Sequence, residues 1–102
     1  MNSSAAKRRL LASKKGESFK REILVKVGLP YVVKQDEVDF PVDGEVSACE
    51  LSIEGLDESF SLVTFGADQL QALQLSIDID PILKRLAKDY DFYFPTGHAY
   101  FE

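Results

Sequence analysis

The sequence predicts an α+β fold, a two-layer sandwich in which an antiparallel sheet of three to four strands carries one long or kinked helix, at about residues 67–89, on one face. Three segments alternate apolar and polar side chains with the period of two that is typical of strands, and one segment repeats its apolar side chains with the helical period. The strand-like segments come first and are joined by short turns, so neighbouring strands are expected to run antiparallel.

Size and composition indicate one folded domain. The chain has 102 residues, of which 45% are hydrophobic, and this is enough to bury one core but not two. We expect residues 17–102 to form a single α+β domain and residues 1–16 to form a basic N-terminal arm. No apolar run approaches the roughly 18 residues that a membrane-spanning helix needs. The basic residues near the start are followed by no apolar signal core, so we expect a cytoplasmic protein.

Charge is divided sharply along the chain. Residues 1–28 hold eight basic and two acidic residues, a balance of +6, whereas residues 29–102 hold four basic and fifteen acidic residues, a balance of −11. Such a division is typical of an arm that contacts anions, or of a tail that lies on the acidic body or on a neighbouring copy. A short helix through residues 5–13 has a favourable composition. The candidate anion-contacting residues of the arm are Lys7, Arg8, Arg9, Lys14 and Lys15.

Alternation of apolar and polar side chains predicts three strands, at residues 18–27, 45–53 and 59–65. The first is rich in β-branched residues such as Val25, which favour strands. In the second, Cys49 lies on the apolar face and is expected to be a buried core thiol. Between them, Pro30 cannot donate a hydrogen bond to a ladder, so the short apolar run that begins at Tyr31 is expected at an edge or in a loop.

The predicted helix is the segment with the most consistent local chemistry. Leu70, Leu73 and Ile77 fall on one helical stripe, which we expect to face the core. Asp68 is placed to accept hydrogen bonds from the N–H groups of the first turn. Pro81 has no N–H to donate, so either one helix kinks there or a second helix begins, with the preceding aspartate as its N-cap.

The segment that follows the helix is unusually aromatic. Residues 92–102 contain five aromatic side chains around a Pro-Thr-Gly turn. Aromatic side chains bury large areas. We therefore expect this segment to form a small hairpin or an extended cover over the core.

One run also carries a family resemblance. Residues 65–75 read Phe-Gly-Ala-Asp-Gln-Leu-Gln-Ala-Leu-Gln-Leu, and residues 25–30 read Val-Lys-Val-Gly-Leu-Pro. The chain resembles a small family of uncharacterised bacterial domains in which an aromatic-Gly-x-Asp segment leads into a Gln-Ala-Leu-Gln-Leu helix. The first run departs from that pattern at Gln69 and Leu70, where a small-hydrophobic pair is expected. The resemblance implies a bacterial cytoplasmic domain and the same strand–helix order, and it implies no activity and no site residues.

The polar face of the helix is the leading candidate for a binding surface. Gln71, Gln74 and Asp78 lie beside the apolar stripe. A solvated helix face explains them, and so does a partner-facing surface on which amides bind another chain. We therefore expect a non-enzymatic protein-interaction module that binds another protein or a second copy of itself. A more specific alternative is an immunity or antitoxin-like protein whose acidic body masks a basic partner.

Chemistry-bearing motifs are sparse. The glycines never cluster into a phosphate loop, and one histidine and one cysteine give no metal-ligand set, so we predict no catalytic residue, no cofactor and no metal. The competing class is an enzyme or small-ligand binder with a pocket between helix and sheet that uses Asp78, Asp80 or His98. Nucleic-acid binding through the arm ranks below both, because the body is acidic and the arm has no interleaved aromatic residue.

Overall fold

A computed structural model of the chain describes residues 4–34 and 46–101. The parts of the predicted arm, second strand and tail that fall on residues 1–3, 45 and 102 lie outside the described residues. Within them the chain forms six strands and two helices. The strands are β1 (Ser4–Lys14), β2 (Arg21–Gly28), β3 (Tyr31–Val32), β4 (Ser47–Glu54), β5 (Phe60–Gly66) and β6 (Tyr90–Tyr93), and the helices are α1 (Gln69–Ile77) and α2 (Asp80–Leu86).

All six strands belong to one antiparallel sheet. β4 pairs along almost its whole length with β5, and on its other side it pairs first with β3 and then with β2. β2 pairs with β1, and β1 pairs with β6. The sheet therefore runs from β5 through β4, β2 and β1 to β6, and the two helices connect its opposite edges.

The core lies between the helices and one face of this sheet. Because side chains alternate along a strand, every second residue of β2 and β4 points towards the helices, and after the first such residue of each strand these residues are apolar. From the helices and the turn between them, Ala72, Ile79 and Leu83 complete the cluster. The strand side chains buried in it are Leu10, Ala12, Ile23, Val25, Val27, Cys49, Leu51, Ile53, Tyr90 and Phe92.

The predicted fold class is wrong, because it contains too little sheet and one long helix that the structure does not have. The chain is mostly antiparallel sheet, with six strands instead of three to four. The predicted strands at residues 18–27, 45–53 and 59–65 correspond to β2, β4 and β5. The sheet is larger than predicted mainly because it also contains β1 and β6, the first and last strands in the sequence.

The short N-terminal helix is also wrong, because Ser4–Lys14 is an eleven-residue strand. Local composition favours a helix there, but β1 lies between β2 and β6 and hydrogen-bonds to both. Leu10 and Ala12 are fully buried in the core. Pairing and burial outweigh a helix propensity that amounts to a few tenths of a kcal/mol per residue.

A single helix over residues 67–89 is wrong as well, and two short helices replace it. α1 ends at Ile77, and Asp78 adopts φ −79° and ψ 80° as its C-cap. The Ile79 N–H donates to the Ile77 carbonyl over 2.9 Å, so the chain makes an inverse γ-turn at this point. α2 then begins with Pro81 in its first turn, where the missing N–H costs nothing.

The expected core stripe of the helix is wrong in two of its three residues. Leu70 is 65% exposed and Ile77 is 51% exposed, whereas Ala72 and Ser76 are buried. α1 approaches the sheet too closely for large side chains on its inner face. At Gly66, the last residue of β5, an added Cβ would lie 2.6 Å from the backbone nitrogen of Ala72.

Candidate protein-interaction surface

The two edges of the sheet differ in whether described residues pair along their outer side. The outer edge of β6 is covered by the C-terminal segment, which folds back and forms an antiparallel bridge between Tyr93 and Ala99. The Tyr100 N–H donates to the Phe92 carbonyl over 2.9 Å, and the Phe94 N–H donates to the His98 carbonyl over 2.8 Å. The aromatic tail therefore returns as a small hairpin, one of the two forms expected, along the β6 edge, and its Tyr100 and Phe101 pack against the core.

The opposite edge, formed by β5, has no such cover in the described part of the chain. β4 is the only described strand that pairs with β5. The seven residues of β5 include no charged residue and no proline. Natural edge strands normally carry such residues, because they discourage pairing with other chains. Among the described residues, β5 is therefore a neutral edge strand with one pairing neighbour, which is the kind of edge that can accept a further strand.

Exposed apolar side chains surround this strand. Leu62 and Val63 of β5 are 37% and 38% exposed, and on the adjoining helix Leu70 and Leu75 are 65% and 50% exposed. Leu62 and Leu75 line one groove on the side of the sheet that faces the helices, and Val63 lies on the other side of the sheet. Exposed apolar residues that lie together mark interaction sites more often than isolated ones do. We call the outer side of β5 together with these four side chains the β5 surface.

The start of α1 is fixed directly beside β5 by two reciprocal caps. The Gln71 N–H donates to Asp68 Oδ1 over 2.8 Å, and Gln71 Oε1 accepts from the Ala67 N–H over 2.6 Å. This arrangement resembles a capping box and satisfies two N–H groups at the helix start. The β5 surface therefore has a rigid helical border.

A groove crosses the β5 surface on the side that faces the helices. It encloses about 230 Å³, between Leu62 of β5, Leu75 of α1 and Ile82 of α2. Ser76 also lines it, and this side chain is only 3% exposed. The Ser76 hydroxyl has no hydrogen-bond partner in the described structure. Asp78, in the turn between the helices, completes the lining.

The predicted partner-facing residues lie at the border of this surface. Gln74 and Asp78 are exposed, and Asp78 reaches the groove. Gln71 is exposed as well, but its amide oxygen is engaged in capping α1. Sequence reasoning missed Leu62, Leu75 and Ser76. The neutral sequence of β5 was a usable signal, but its significance depends on its position at an edge.

The basic residues predicted to contact anions lie on β1 or directly after it, and they meet partners in the chain itself. Arg9 pairs with Glu22 at 3.3 Å and Lys14 with Asp57 at 3.5 Å. Lys15 forms an ion pair with Asp91, and Arg8 donates to the hydroxyl of Tyr100 over 2.7 Å. Lys7 forms no ion pair with the described residues. Four of the five candidate residues thus have a partner within the chain.

Two side chains in these contacts have shifted pKa values. The hydrogen bond from Arg21, at 2.6 Å, lowers the pKa of the Asp57 carboxyl below 3.8, and the positive charge of Lys14 lowers it further. Burial raises the pKa of the Tyr100 hydroxyl above 10.0, and so does the hydrogen bond that this hydroxyl donates to Asp80 over 2.6 Å. Both groups hold β1 to later parts of the chain.

The groups proposed for a catalytic pocket occupy separate places. Asp78 lies in the groove, Asp80 accepts from Tyr100, and exposed His98 contacts Thr96 Oγ1 through Nδ1 at 2.9 Å. Apart from the groove at the β5 edge, the apolar core occupies the space between helices and sheet. In the described ranges, no three His, Cys, Asp or Glu side chains are grouped to hold a metal ion.

Cys49 is a fully buried thiol, as expected, and it donates to the Gly28 carbonyl over 3.3 Å. Neither of the two described helices has the length and apolar character needed to cross a bilayer.

Comparison with known proteins gives no match to a family model, to a curated protein or to a solved structure.

Proposed function

We propose that this chain is a non-enzymatic protein-interaction module that binds an extended segment of another chain along β5. The observation that carries this proposal is the contrast between the two edges of the sheet. The chain folds its C-terminal segment over the outer side of β6, while the described residues leave the seven-residue, uncharged β5 without a second strand.

Strand addition supplies both affinity and selectivity. Backbone N–H and C=O groups of an added segment pair with those that β5 directs outwards, and this pairing needs no particular sequence. Side chains of the added segment alternate between the two faces of the extended sheet. On one face they meet Val63, and on the other they meet Leu62 and the groove. Selectivity for a segment therefore depends on the side chains that it places, in alternation, on each face of the sheet.

A synthetic peptide series tests this proposal on the full chain. The probe is a fluorescein-labelled peptide of alternating valine and threonine with the length of β5, and the control peptide carries proline at its centre. We expect the alternating peptide to raise fluorescence anisotropy on titration and to shift the amide NMR signals of residues 60–66. The proline peptide cannot complete the ladder and should bind at least several-fold more weakly.

A pair of variants at one position locates the contact. Val63→Lys places a charge on the edge strand, which discourages pairing, whereas Val63→Thr keeps a neutral β-branched side chain. We expect the lysine variant to weaken peptide binding several-fold and the threonine variant to change it less than about twofold. The proposal is wrong if no peptide binds with a Kd below about 1 mM, or if the two variants bind alike.

A further inference from the structure

We infer that the segment received by β5 is basic and that it inserts one lysine side chain into the groove between Leu62, Leu75 and Ile82. This inference rests on the proposed function and specifies the chemistry of the partner. It follows from the distribution of charge around β5, from the lining of the groove, and from the result of pairing two copies of β5.

The sequence interval that contains β4, β5 and α1 has no basic residue of its own. No lysine or arginine occurs between Lys34 and Lys84. Over the described residues 46–83, two carboxylates form ion pairs, Glu54 with Lys26 and Asp57 with Arg21 and Lys14. Two others accept hydrogen bonds, Asp80 from Tyr100 and Asp68 from the Gln71 N–H. Besides Asp80, the carboxylates of that range that form no ion pair with described residues are Glu50, Glu58, Asp68 and Asp78.

These four carboxylates surround β5. Glu58 lies two residues before the strand and Asp68 two residues after the strand ends. Glu50 is the β4 partner of Val63 in the sheet register, and Asp78 lines the groove. An added segment therefore meets negative charge at both ends and beside the groove. Complementary positive charge on that segment would speed the encounter and fix its position.

The groove has the lining that a lysine side chain requires. Its apolar walls suit the four-carbon stem, and Asp78 provides a carboxylate for the ammonium group at its end. The unpartnered hydroxyl of Ser76 offers an acceptor on the same side. A volume of about 230 Å³ is below the roughly 300 Å³ at which small-ligand pockets begin. A single long side chain is therefore a better match than a whole small molecule.

A second copy of the chain is a poorer occupant. Antiparallel pairing of two β5 strands centred on Val63 would bring Glu58 of each copy towards Asp68 of the other. Neither carboxylate forms an ion pair with the described residues of its own chain, so both ends of such a dimer would juxtapose like charges. Like charges placed opposite each other destabilise strand pairs. The same two positions attract a segment with basic ends.

The test uses the alternating peptide with a single central residue varied among lysine, norleucine and glutamate. Norleucine keeps the apolar stem of lysine and lacks its charge. We expect the lysine peptide to bind the full chain about fivefold more tightly than the norleucine peptide at low salt, which corresponds to about 1 kcal/mol. The glutamate peptide should bind most weakly. The lysine preference should shrink as the salt concentration rises.

Matched variants assign the preference to the groove. Asp78→Asn should remove the difference between the lysine and norleucine peptides. Asp89→Asn removes the same charge at an exposed position that does not line the groove, and it should leave the difference intact. Ser76→Ala should weaken the lysine peptide and spare the norleucine peptide, because only the ammonium group can use the hydroxyl.

Each other outcome has a separate meaning. If lysine, norleucine and glutamate peptides bind equally and still shift residues 60–66, strand addition stands and the basic partner is wrong. Equal effects of Asp78→Asn and Asp89→Asn would likewise overturn the groove assignment. If light scattering shows a dimer that Val63→Lys dissociates, the occupant is a second copy. If no peptide binds, the proposed function fails and this inference fails with it.

Discussion

Gly66, the last residue of β5, lies against the backbone of α1, and this contact predicts how a substitution there changes stability. A methyl group at position 66 would lie 2.6 Å from the Ala72 nitrogen, and 3.0 Å from both Ala72 Cα and the Gln71 carbonyl carbon. All three are backbone atoms, so no side-chain rotation can relieve the overlap. Gly66→Ala must therefore push the first turn of α1 away from the end of β5.

The expected cost follows from this overlap. Adding a methyl group to a tightly packed contact typically costs about 1–3 kcal/mol. For a domain of this size each kcal/mol lowers Tm by about 4–8 °C. We expect Gly66→Ala to lower Tm by at least about 5 °C in thermal unfolding followed by circular dichroism, with a matching loss in urea unfolding.

Gly28→Ala is the matched control. The nearest atom to an added Cβ there is the Glu50 carbonyl oxygen at 3.6 Å, an ordinary contact, and the backbone at Gly28 is not left-handed. This substitution should change the free energy of unfolding by less than about 0.5 kcal/mol, or stabilise slightly because alanine restricts the unfolded chain. Equal stabilities of the two variants would refute the close approach of α1 to β5.

Two further predictions concern the core and acid stability. Leu83→Ala should lower the free energy of unfolding by about 2–5 kcal/mol, because Leu83 is fully buried. Leu70→Ala should change the free energy of unfolding by less than about 0.5 kcal/mol. Urea unfolding compares the two variants, and a large loss for Leu70→Ala would show that Leu70 belongs to the core. The folded-state pKa of Asp57 is below its ordinary value, so its contribution to stability is present above pH 3.8 and is lost as pH falls through the lowered pKa. Asp57→Asn should therefore flatten the fall in stability below about pH 4, and an unchanged acid profile would argue against the ion pairs with Arg21 and Lys14.

Two of the three strands that the sequence predicts, β2 and β4, have faces that differ in polarity. β2 and β4 place alternate apolar residues against the helices and more polar residues on the other face, and a period of two in the sequence reports this directly. β1 could not be found in that way. Its first six residues are exposed or half-buried, and its Ala, Lys and Arg content favours a helix. Its conformation is decided by pairing with β2 and β6, and β6 lies about eighty residues away in sequence.

The helical segment shows a different limit. Its apolar residues do recur with the helical period, yet the buried face is the one with Ala72 and Ser76. Close approach to the sheet selects small side chains, so apolar periodicity alone identified the wrong face. For the candidate site, Asp78 was predictable as an exposed carboxylate beside the helix. Leu62 and Ser76 were not, because the groove that they line forms only when α1, α2 and β5 come together.

The position of the β5 surface follows from how the chain crosses its own sheet. β5 and β6 lie on opposite edges, so the segment between them must span about four strand spacings, roughly 19 Å. One helix over residues 67–89 would measure about 34 Å at 1.5 Å per residue and would extend far beyond the sheet. The turn at Asp78 divides the segment into helices of nine and seven residues, which fit over the core. The crossing places the C-terminal segment at the β6 edge, and this segment covers that edge. It also carries the chain away from β5, so the described fold supplies no second strand at that edge, and a partner's segment is the element that would complete it.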